Sequence, residues 1–475
     1  MWPRRIECSS RHEEAGREVN DNRPPRHLGC HLSLGARASC PQFSAAGRRP
    51  AFPVSLVSAS WTVAFAALCA IPSSWATPLR VALFTGVEPA EMDAAVSLGK
   101  LRGALESQPD VSAAVILPPT GAGAMPSLAD LRTADAAVLY GGTGDLAAAD
   151  AAILREFVQQ GKGLLVIREQ TARWTTWPEF LPGVLGAKRQ GTFAKGAPMR
   201  VINLFGHAIF TGVRYVETGQ SMPLYAGLTP DSMLVMEGTV GEATAPLGWL
   251  RQNGRGRIAH IVPASTELFG EPGYMRLLVN TLLWTARRPI PGARALVQRT
   301  YLPNAYPGAI AITFPEGPTL CFDPARGGVS HVSDGDFVDL RPRWLTKQGE
   351  PAKISGEQFF HDAGRSPYWT DAVGAEPNFQ FMGYGVKEEF PELHYRVGDR
   401  EVREQLRPAA SGIGLVRELR IGAGRQQLSY RHEPQAGADI VMSGGARATD
   451  TTAFSVGADA AVVRMEIRPK RVVAP

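Results

Sequence analysis

Three short stretches decide the fold class of this chain: PLGWLR (246–251), GRGRIAHI (254–261) and RLLVNTLLW (276–284). The first two are apolar runs bounded by turn-forming residues, which is typical of strands, and the third repeats apolar residues at helical spacing. Similar apolar runs upstream alternate with helical patterns; they are Arg80–Thr85, Val111–Leu117, Ala136–Tyr140, Gly163–Ile167, Met199–Leu204 and Met233–Met236. This alternation predicts an α/β domain, a flavodoxin-like parallel sheet with helices on both faces.

The pattern changes after Pro289-Ile290-Pro291-Gly292, a group of turn residues that marks a boundary. Short, often alternating apolar runs then follow one another between Gly, Pro and Asp, with no long helical pattern. They predict an all-β, sandwich-like domain. Together with the chain length of 475 residues, this gives an α/β domain over 79–288, a linker over 289–304 and a β domain over 305–470.

The first 76 residues differ from the rest in composition. Residues 1–53 are rich in Arg, Pro and Ser. We interpret them either as a disordered leader or as the result of a start codon assigned too far upstream. Residues 54–76 follow a basic flank, Arg48-Arg49, and combine an apolar run with small residues at Ser74 and Ala76. This predicts a secretory signal cleaved after Ala76; a membrane anchor is the alternative. The expected location is the periplasm or the exterior of a bacterial cell.

Charge and cysteine usage limit the partners of the mature chain. The first 76 residues hold nine arginines against five acidic residues, so they carry +4 of the total charge of +5. The nearly neutral remainder gives no reason to expect a nucleic-acid partner, and it contains no second span for a membrane. Only Cys321 follows the signal, so an intramolecular disulfide is excluded after cleavage.

Candidate site residues follow the predicted strands, because ligands of open parallel sheets bind beyond the carboxyl ends of the strands. Arg168 and Glu169 follow the fourth strand, Trp174 and Trp177 come shortly after, and Glu267 follows the strand that ends at Val262. Charged groups that hold hydroxyls and aromatic rings that stack on a pyranose are typical of saccharide sites. A surface loop with an ordinary Arg–Glu ion pair is the structural alternative. Asp145, which comes shortly after the third strand, is the predicted N-cap of the helix that runs to Gln160.

Two histidines deserve separate interpretations. His207 lies in a turn and is a candidate general base, with a structural role as the alternative. His260 lies within a strand and is expected to be a core histidine. No metal-binding spacing, nucleophile elbow, dinucleotide fingerprint or Walker A motif occurs, so we expect no metal and no cofactor.

The stretch from about Leu79 to Arg288 resembles the ThuA-like (trehalose-utilisation) family, whose fold is similar to that of class I glutamine amidotransferases. The resemblance rests on the segments 157–166, 197–201, 206–213 and 249–284. It implies a role in sugar or disaccharide metabolism. Of the polar residues usual in the family, His207 and Tyr225 remain. Arg168, Gln220-Ser221 and Pro263-Ala264 replace a His, an Asp-Glu pair and a Gly-His pair. The absence of Cys after these strands excludes glutamine amidotransferase activity.

Residues 305–422 are similar to a β-rich domain of exported proteins from planctomycetes-like bacteria. The resemblance rests on Phe322-Asp323, Gly335–Asp339, Arg343-Trp344, Phe381–Tyr384 and Pro391–Tyr395. Domains of this kind often accompany ThuA-like or cytochrome c modules.

These observations lead to three hypotheses. The first is a saccharide-processing protein in which Glu169 and His207 exchange protons in an isomerase- or hydrolase-type step. In it, Arg168, Trp174, Trp177, Tyr225 and Glu267 bind the sugar. The second is a non-catalytic carbohydrate-binding or scaffold protein of the cell envelope. The third, suggested by the cytochrome modules alone, is a subunit of an exported electron-transfer assembly.

Overall fold

The computed structural model describes most of the chain from Thr77 onward. The described residues are 77–85, 93–117, 126–141, 145–168, 174–193, 199–203, 206–213, 216–219, 221–240, 243–254, 256–315, 317–345, 349–410, 412–445, 447–448 and 452–470. The predicted leader and signal segment, 1–76, and the candidate base Glu169 lie outside them.

An α/β region is followed by a β-rich region, as the sequence predicts in outline. The strands of the α/β region are β1 (Leu79–Thr85), β2 (Val111–Ile116), β3 (Ala136–Tyr140), β4 (Gly163–Ile167), β5 (Lys188–Phe193), β6 (Met199–Asn203), β7 (Val216–Thr218), β8 (Met222–Ala226), β9 (Ser232–Val240), β10 (Ala243–Asn253) and β11 (Gly256–Ile261). Its helices are α1 (Ala94–Glu106), α2 (Ala148–Gln159) and α3 (Pro272–Thr285), with a π-helical turn at Phe180–Leu185.

Nine of these strands form one sheet, in the order β2-β1-β3-β4-β11-β10-β9-β6-β7. The first five are parallel and the last four are antiparallel to their neighbours, so the sheet is mixed rather than parallel throughout. The reason is local. Only two residues connect β9 to β10 and β10 to β11, and such connections permit hairpins but no crossover helix.

Few helices cover the sheet. α1 and α3 contact each other on one face. α2 is expected on the other face, because the chain moves in opposite directions across the sheet through β1–α1–β2 and β3–α2–β4, and crossovers between parallel strands are right-handed as a rule. Asp93 caps α1 by accepting a hydrogen bond from the Val96 amide at 3.0 Å. Asp145 does not cap α2, which begins after Ala147; its carboxylate instead accepts hydrogen bonds from Thr175.

The β-rich region contains strands and one short helix, α4 (Arg341–Leu345). The strands are β12 (Leu296–Arg299), β13 (Ile310–Thr313), β14 (Thr319–Asp323), β15 (Gly328–Ser333), β16 (Val338–Asp339), β17 (Lys353–Ile354), β18 (Gln358–His361), β19 (Trp369–Asp371), β20 (Phe379–Lys387), β21 (Phe390–Val397), β22 (Arg400–Pro408), β23 (Leu415–Ile421), β24 (Leu428–Arg431), β25 (Ala438–Gly444), β26 (Arg447–Ala448), β27 (Ala453–Val456) and β28 (Ala461–Pro469).

Antiparallel sheets enclose the core of this region. The six-stranded sheet β20-β21-β22-β23-β28-β25 presents an alternating inner row that includes Leu393, Tyr395 and Leu419. That row packs in one hydrophobic cluster with residues of the four-stranded sheet β19-β24-β27-β26 and of the five-stranded sheet β12-β13-β14-β15-β18. Along β28, buried residues alternate with more exposed ones, which is the period-2 pattern of a strand with one face in the core.

The two regions have separate hydrophobic cores but belong to one compact unit, Pro72–Pro475. The boundary over 289–304 remains a prediction. None of the described helices is long and apolar enough to cross a membrane.

Candidate functional site

The parallel strands give the sheet two edges with different chemistry. We call the edge where β1, β3, β4 and β11 end the carboxyl edge, and the edge where they begin the amino edge. Arg168 directly follows β4 at the carboxyl edge, and its backbone adopts a left-handed conformation with φ of 50°. Few residues other than Gly adopt this conformation, so the turn after β4 holds Arg168 in a strained position.

The Arg168 side chain connects two loops at this edge. One guanidinium nitrogen donates to the Ala264 carbonyl at 2.9 Å and another to the Ser221 carbonyl at 3.0 Å. The residue is only 6 % exposed. Through these two hydrogen bonds, the guanidinium holds the segment before β8 and the segment after β11 in place. The sequence did not indicate this positioning role.

An acidic hollow lies at the same edge, with a volume of about 500 Å³. It is lined in part by Glu217, Ser265, Glu267, Glu271 and Tyr274, and we use the name for this set. All three glutamates are exposed, whereas Ser265 and Tyr274 are buried in its wall. Of the sequence-predicted site residues within the described part of the chain, Glu267 is the one that lines this hollow.

The Tyr274 hydroxyl is fixed and protonated. It donates a hydrogen bond to the Pro263 carbonyl. Burial raises the pKa of Tyr274 well above its usual range, the nearby Tyr140 raises it further, and Arg168 opposes both effects in part. Tyr274 therefore contributes shape and polarity to the hollow and does not release a proton at neutral pH.

His207 lies at the amino edge, far from Arg168. Its Nδ1 accepts the Ile209 amide at 3.3 Å, and its ring packs 5.7 Å from the rings of Trp284 and Phe337. Its Nε2 is 3.8 Å from a carboxylate oxygen of Asp336. This is the structural alternative considered for His207: the ring caps a short 3₁₀ turn and packs against the β-rich region.

The length of β11 separates the two candidate residues. Asp336, next to His207, contacts Arg257 at the start of β11, whereas the carbonyl of Ile261 at its end accepts the backbone amide of Arg168. Four residues of extended strand span ~13 Å. Arg168 and His207 therefore lie at opposite edges, and the single crevice expected from the sequence does not include both.

The predicted aromatic platform is buried. Trp174 and Trp177 are 1 % and 8 % exposed, and both pack against Phe180 with ring centroids 4.9 and 5.1 Å apart. The Arg155 guanidinium lies 4.8 Å from the Trp177 ring. Buried indole rings leave no free face for a pyranose, so these tryptophans stabilise the fold around the π-helical turn.

Tyr225 is also part of the interior. Its ring lies 5.2 Å from the rings of both Trp249 and His260. His260 is 1 % exposed, and burial lowers its pKa to about 3, so the ring is neutral at neutral pH. The expectation of a core histidine at position 260 is confirmed.

Asp336 is a buried polar residue that the sequence analysis did not single out as part of a site. Its carboxylate accepts a hydrogen bond from the Trp284 indole and lies 3.2 Å from Arg257, whose guanidinium is 4.9 Å from the Trp284 ring. Burial alone would raise the pKa of Asp336, but Arg257, His207 and Trp284 outweigh it and hold the pKa far below its usual range. A carboxylate from the β-rich region thus inserts into the α/β region as an anion.

Comparisons with known proteins concern the fold. No family model and no curated protein matches this chain. Among solved structures, a ThuA-like protein from Parabacteroides merdae ATCC 43184 is similar at 18% identity and a TM-score of 0.36, covering 44% of this chain and 90% of that one. The cytoplasmic protein STM3548 from Salmonella typhimurium is similar at 16% identity and a TM-score of 0.32, covering 44% and 98%.

A third similar structure is the exo-β-1,4-mannosidase Op5Man5 from Opitutaceae bacterium strain TAV5, at 14% identity and a TM-score of 0.30. The likeness covers 44% of this chain and 36% of the mannosidase. Likeness at this level says nothing about the activity of this chain. Within the described residues, no group of three or more His, Cys, Asp or Glu side chains is arranged to hold a metal ion.

Proposed function

We propose that this protein is exported and binds a saccharide without transforming it, with the acidic hollow at the carboxyl edge as the binding site. The supporting observation is the hollow itself, where three exposed glutamates surround a space of about 500 Å³. Each carboxylate can accept two hydroxyl hydrogen bonds, and charge-assisted bonds of this kind are the stronger ones. The space is of the size that small-molecule sites occupy.

Binding is favoured over catalysis by the position of His207. General acid–base catalysis needs the base within hydrogen-bond reach of the reacting atoms. His207 is buried at the opposite edge of the sheet and faces Asp336. A sugar in the acidic hollow would therefore not contact it. A role in sugar or disaccharide metabolism would then consist of capture or delivery.

Calorimetry with a panel of neutral mono- and disaccharides, including trehalose, tests this function. We expect at least one sugar to bind, and Glu267→Gln to weaken it roughly tenfold or more, because a hydrogen bond to a charged acceptor contributes about 1.5–3 kcal/mol. Glu106→Gln, at the exposed end of α1, is the matched control and should bind like the wild type. A wild-type protein that gives no heat with any sugar contradicts the proposal.

The export proposal has its own measurement. If residues 54–76 are a cleaved signal, N-terminal sequencing of the protein recovered from the periplasm or medium begins at Thr77. Recovery of the uncleaved chain from the cytoplasm contradicts export and leaves the binding proposal unaffected.

A further inference from the structure

A second and larger hollow lies at the amino edge, between the α/β region and the β-rich region. Its volume is about 1020 Å³. We call it the basal cleft and define it by Leu250, Gln252, Arg287, Asp334, Ile354 and Glu357, which line it from both regions. Among the residues proposed from the sequence for the saccharide site, none of those that the structure describes lines it.

Contacts between the regions hold the walls of the basal cleft in place. Asp336, on one wall, is bound by Arg257 and Trp284. The Gln252 amide donates to Asp334 at 3.5 Å, and Lys353 donates to the Pro230 carbonyl. A cleft whose walls are already joined requires little reorganisation when a ligand enters, which preserves binding free energy.

The charged side chains that line the cleft include more acidic than basic residues. They are Asp231, Asp334, Asp336, Asp339 and Glu357 against Arg251, Arg287 and Lys353. An anionic ligand would therefore bring a further negative charge next to an excess of carboxylates, which is costly. The wall chemistry favours a neutral ligand over an anion.

The same walls combine apolar and hydrogen-bonding surface. Met233, Ile354 and Ile413 supply apolar groups that are at least partly exposed. Asp334, Glu357 and the Arg287 guanidinium supply acceptors and donors. Saccharides carry both kinds of surface, apolar C–H faces and a rim of hydroxyls, and planar guanidinium groups bind adjacent oxygens in bidentate fashion. A space of this volume exceeds what one monosaccharide fills.

We propose that the basal cleft binds a short neutral oligosaccharide, at a site separate from the acidic hollow. The two sites lie at opposite edges of the sheet, so either can bind its ligand without the other. The inference does not rest on the proposed function, and a protein with an empty acidic hollow can still bind an oligosaccharide here.

Arg287 offers a substitution that spares the backbone. It has a φ of 55°, a conformation that Gly adopts without steric cost, so Arg287→Gly removes the guanidinium without introducing backbone strain. Glu389 has a φ of 70° in the turn between β20 and β21, where no residue lines the cleft, so Glu389→Gly is a matched control. Arg287→Lys keeps the charge but loses the planar set of donors.

The experiment is calorimetry on the purified chain with maltotriose, cellotriose and xylotriose as neutral probes and tri-galacturonate as the charged one. We expect one neutral trisaccharide to bind, Arg287→Gly to weaken it at least ~10-fold, Arg287→Lys to weaken it less, and Glu389→Gly to leave it unchanged. Thermal melts of each variant establish that it is folded.

Three outcomes overturn the proposal. They are no binding of any neutral trisaccharide to the wild type, equal affinity of Arg287→Gly and the wild type, and tighter binding of tri-galacturonate than of the neutral probes. Glu267→Gln separates the two sites. If it removes trisaccharide binding while Arg287→Gly does not, the trisaccharide occupies the acidic hollow, which supports the proposed function and overturns this inference.

Discussion

At the scale of single residues, burial decides what the ionisable groups of this protein do. His260 is enclosed between the rings of Tyr225 and Trp249, and burial lowers its pKa to about 3 from the ordinary value of 6.5. The folded protein keeps the ring neutral, whereas the unfolded chain binds a proton below pH 6.5. His260 therefore contributes fully to stability above pH 6.5 and loses that contribution as the pH falls from 6.5 toward 3.

The replacement His260→Phe should remove this dependence. At pH 5 the wild type should have lost about 2 kcal/mol of unfolding free energy through His260 alone, because each unit between the two pKa values is worth about 1.36 kcal/mol. Urea unfolding at pH 7.5 and pH 5 measures the difference between wild type and variant. His361→Gln, on the exposed side of β18, is the control and should keep the wild-type dependence. Equal losses in His260→Phe and the wild type contradict the prediction.

The aromatic residues show why residue type alone misled. Trp174 and Trp177 were predicted to contact a sugar because they follow a strand end, and Tyr225 because the resembled family has a tyrosine there. Each is instead enclosed by neighbours that come from other elements, such as Phe180 and Trp249. The sequence gives no local indication of this burial, since the residues that flank a tryptophan in the chain do not show whether its ring lies in a core or in a binding site.

At the scale of elements, the amino end of β4 and the carboxyl end of α3 approach each other closely. A Cβ added to Gly163 would lie 2.6 Å from the backbone carbon of Thr285 and 2.7 Å from its oxygen. Both are backbone atoms at the end of a helix, so they cannot move away as a flexible side chain could. Gly163 is thus required by packing and not by its own dihedral angles.

Gly163→Ala should destabilise the protein by about 1–3 kcal/mol, because it forces α3 away from the sheet. Gly103→Ala is the matched control, since Gly103 lies in α1 and a Cβ there meets nothing within 4 Å. That substitution should stabilise the protein by about 0.5–1 kcal/mol, the cost of Gly in a helix. Denaturant unfolding of both variants measures the contrast, and a shift of the same sign in both would show that the packing argument fails.

At the scale of the whole molecule, Asp336 couples the two regions. Its carboxylate comes from the β-rich region, whereas Arg257, Trp284 and His207 belong to the α/β region. Removing one partner of a buried ion pair leaves the other charge buried without compensation, and such losses amount to about 3–5 kcal/mol. The contact is therefore the point at which one substitution should separate the stability of the two regions.

Asp336→Asn should lower the melting temperature and divide a single calorimetric transition into two, as the regions begin to unfold independently. The double variant Asp336→Leu with Arg257→Met should recover much of the loss, because an apolar pair of similar volume replaces the ion pair. Differential scanning calorimetry distinguishes these cases. A wild-type transition profile that persists in Asp336→Asn would show that the regions are held together elsewhere.

The sequence by itself determined the elements. Apolar runs and helical spacing located β1 through β4, α2 and α3 to within a few residues, and period-2 alternation located the β-rich region, because these patterns report which side of a segment is buried. It also gave the buried position of His260, since a histidine in the middle of an apolar strand is expected to lie in the core.

Only the tertiary structure decided which side chains meet. It made the sheet mixed, placed Arg168 and His207 at opposite edges, buried the predicted aromatic platform and brought Asp336 to Arg257 from 79 residues away in the numbering. The physical reason is that local patterns reflect burial, which one segment can satisfy against any apolar partner. Charge pairing and cavity shape depend on the positions of several distant segments at once.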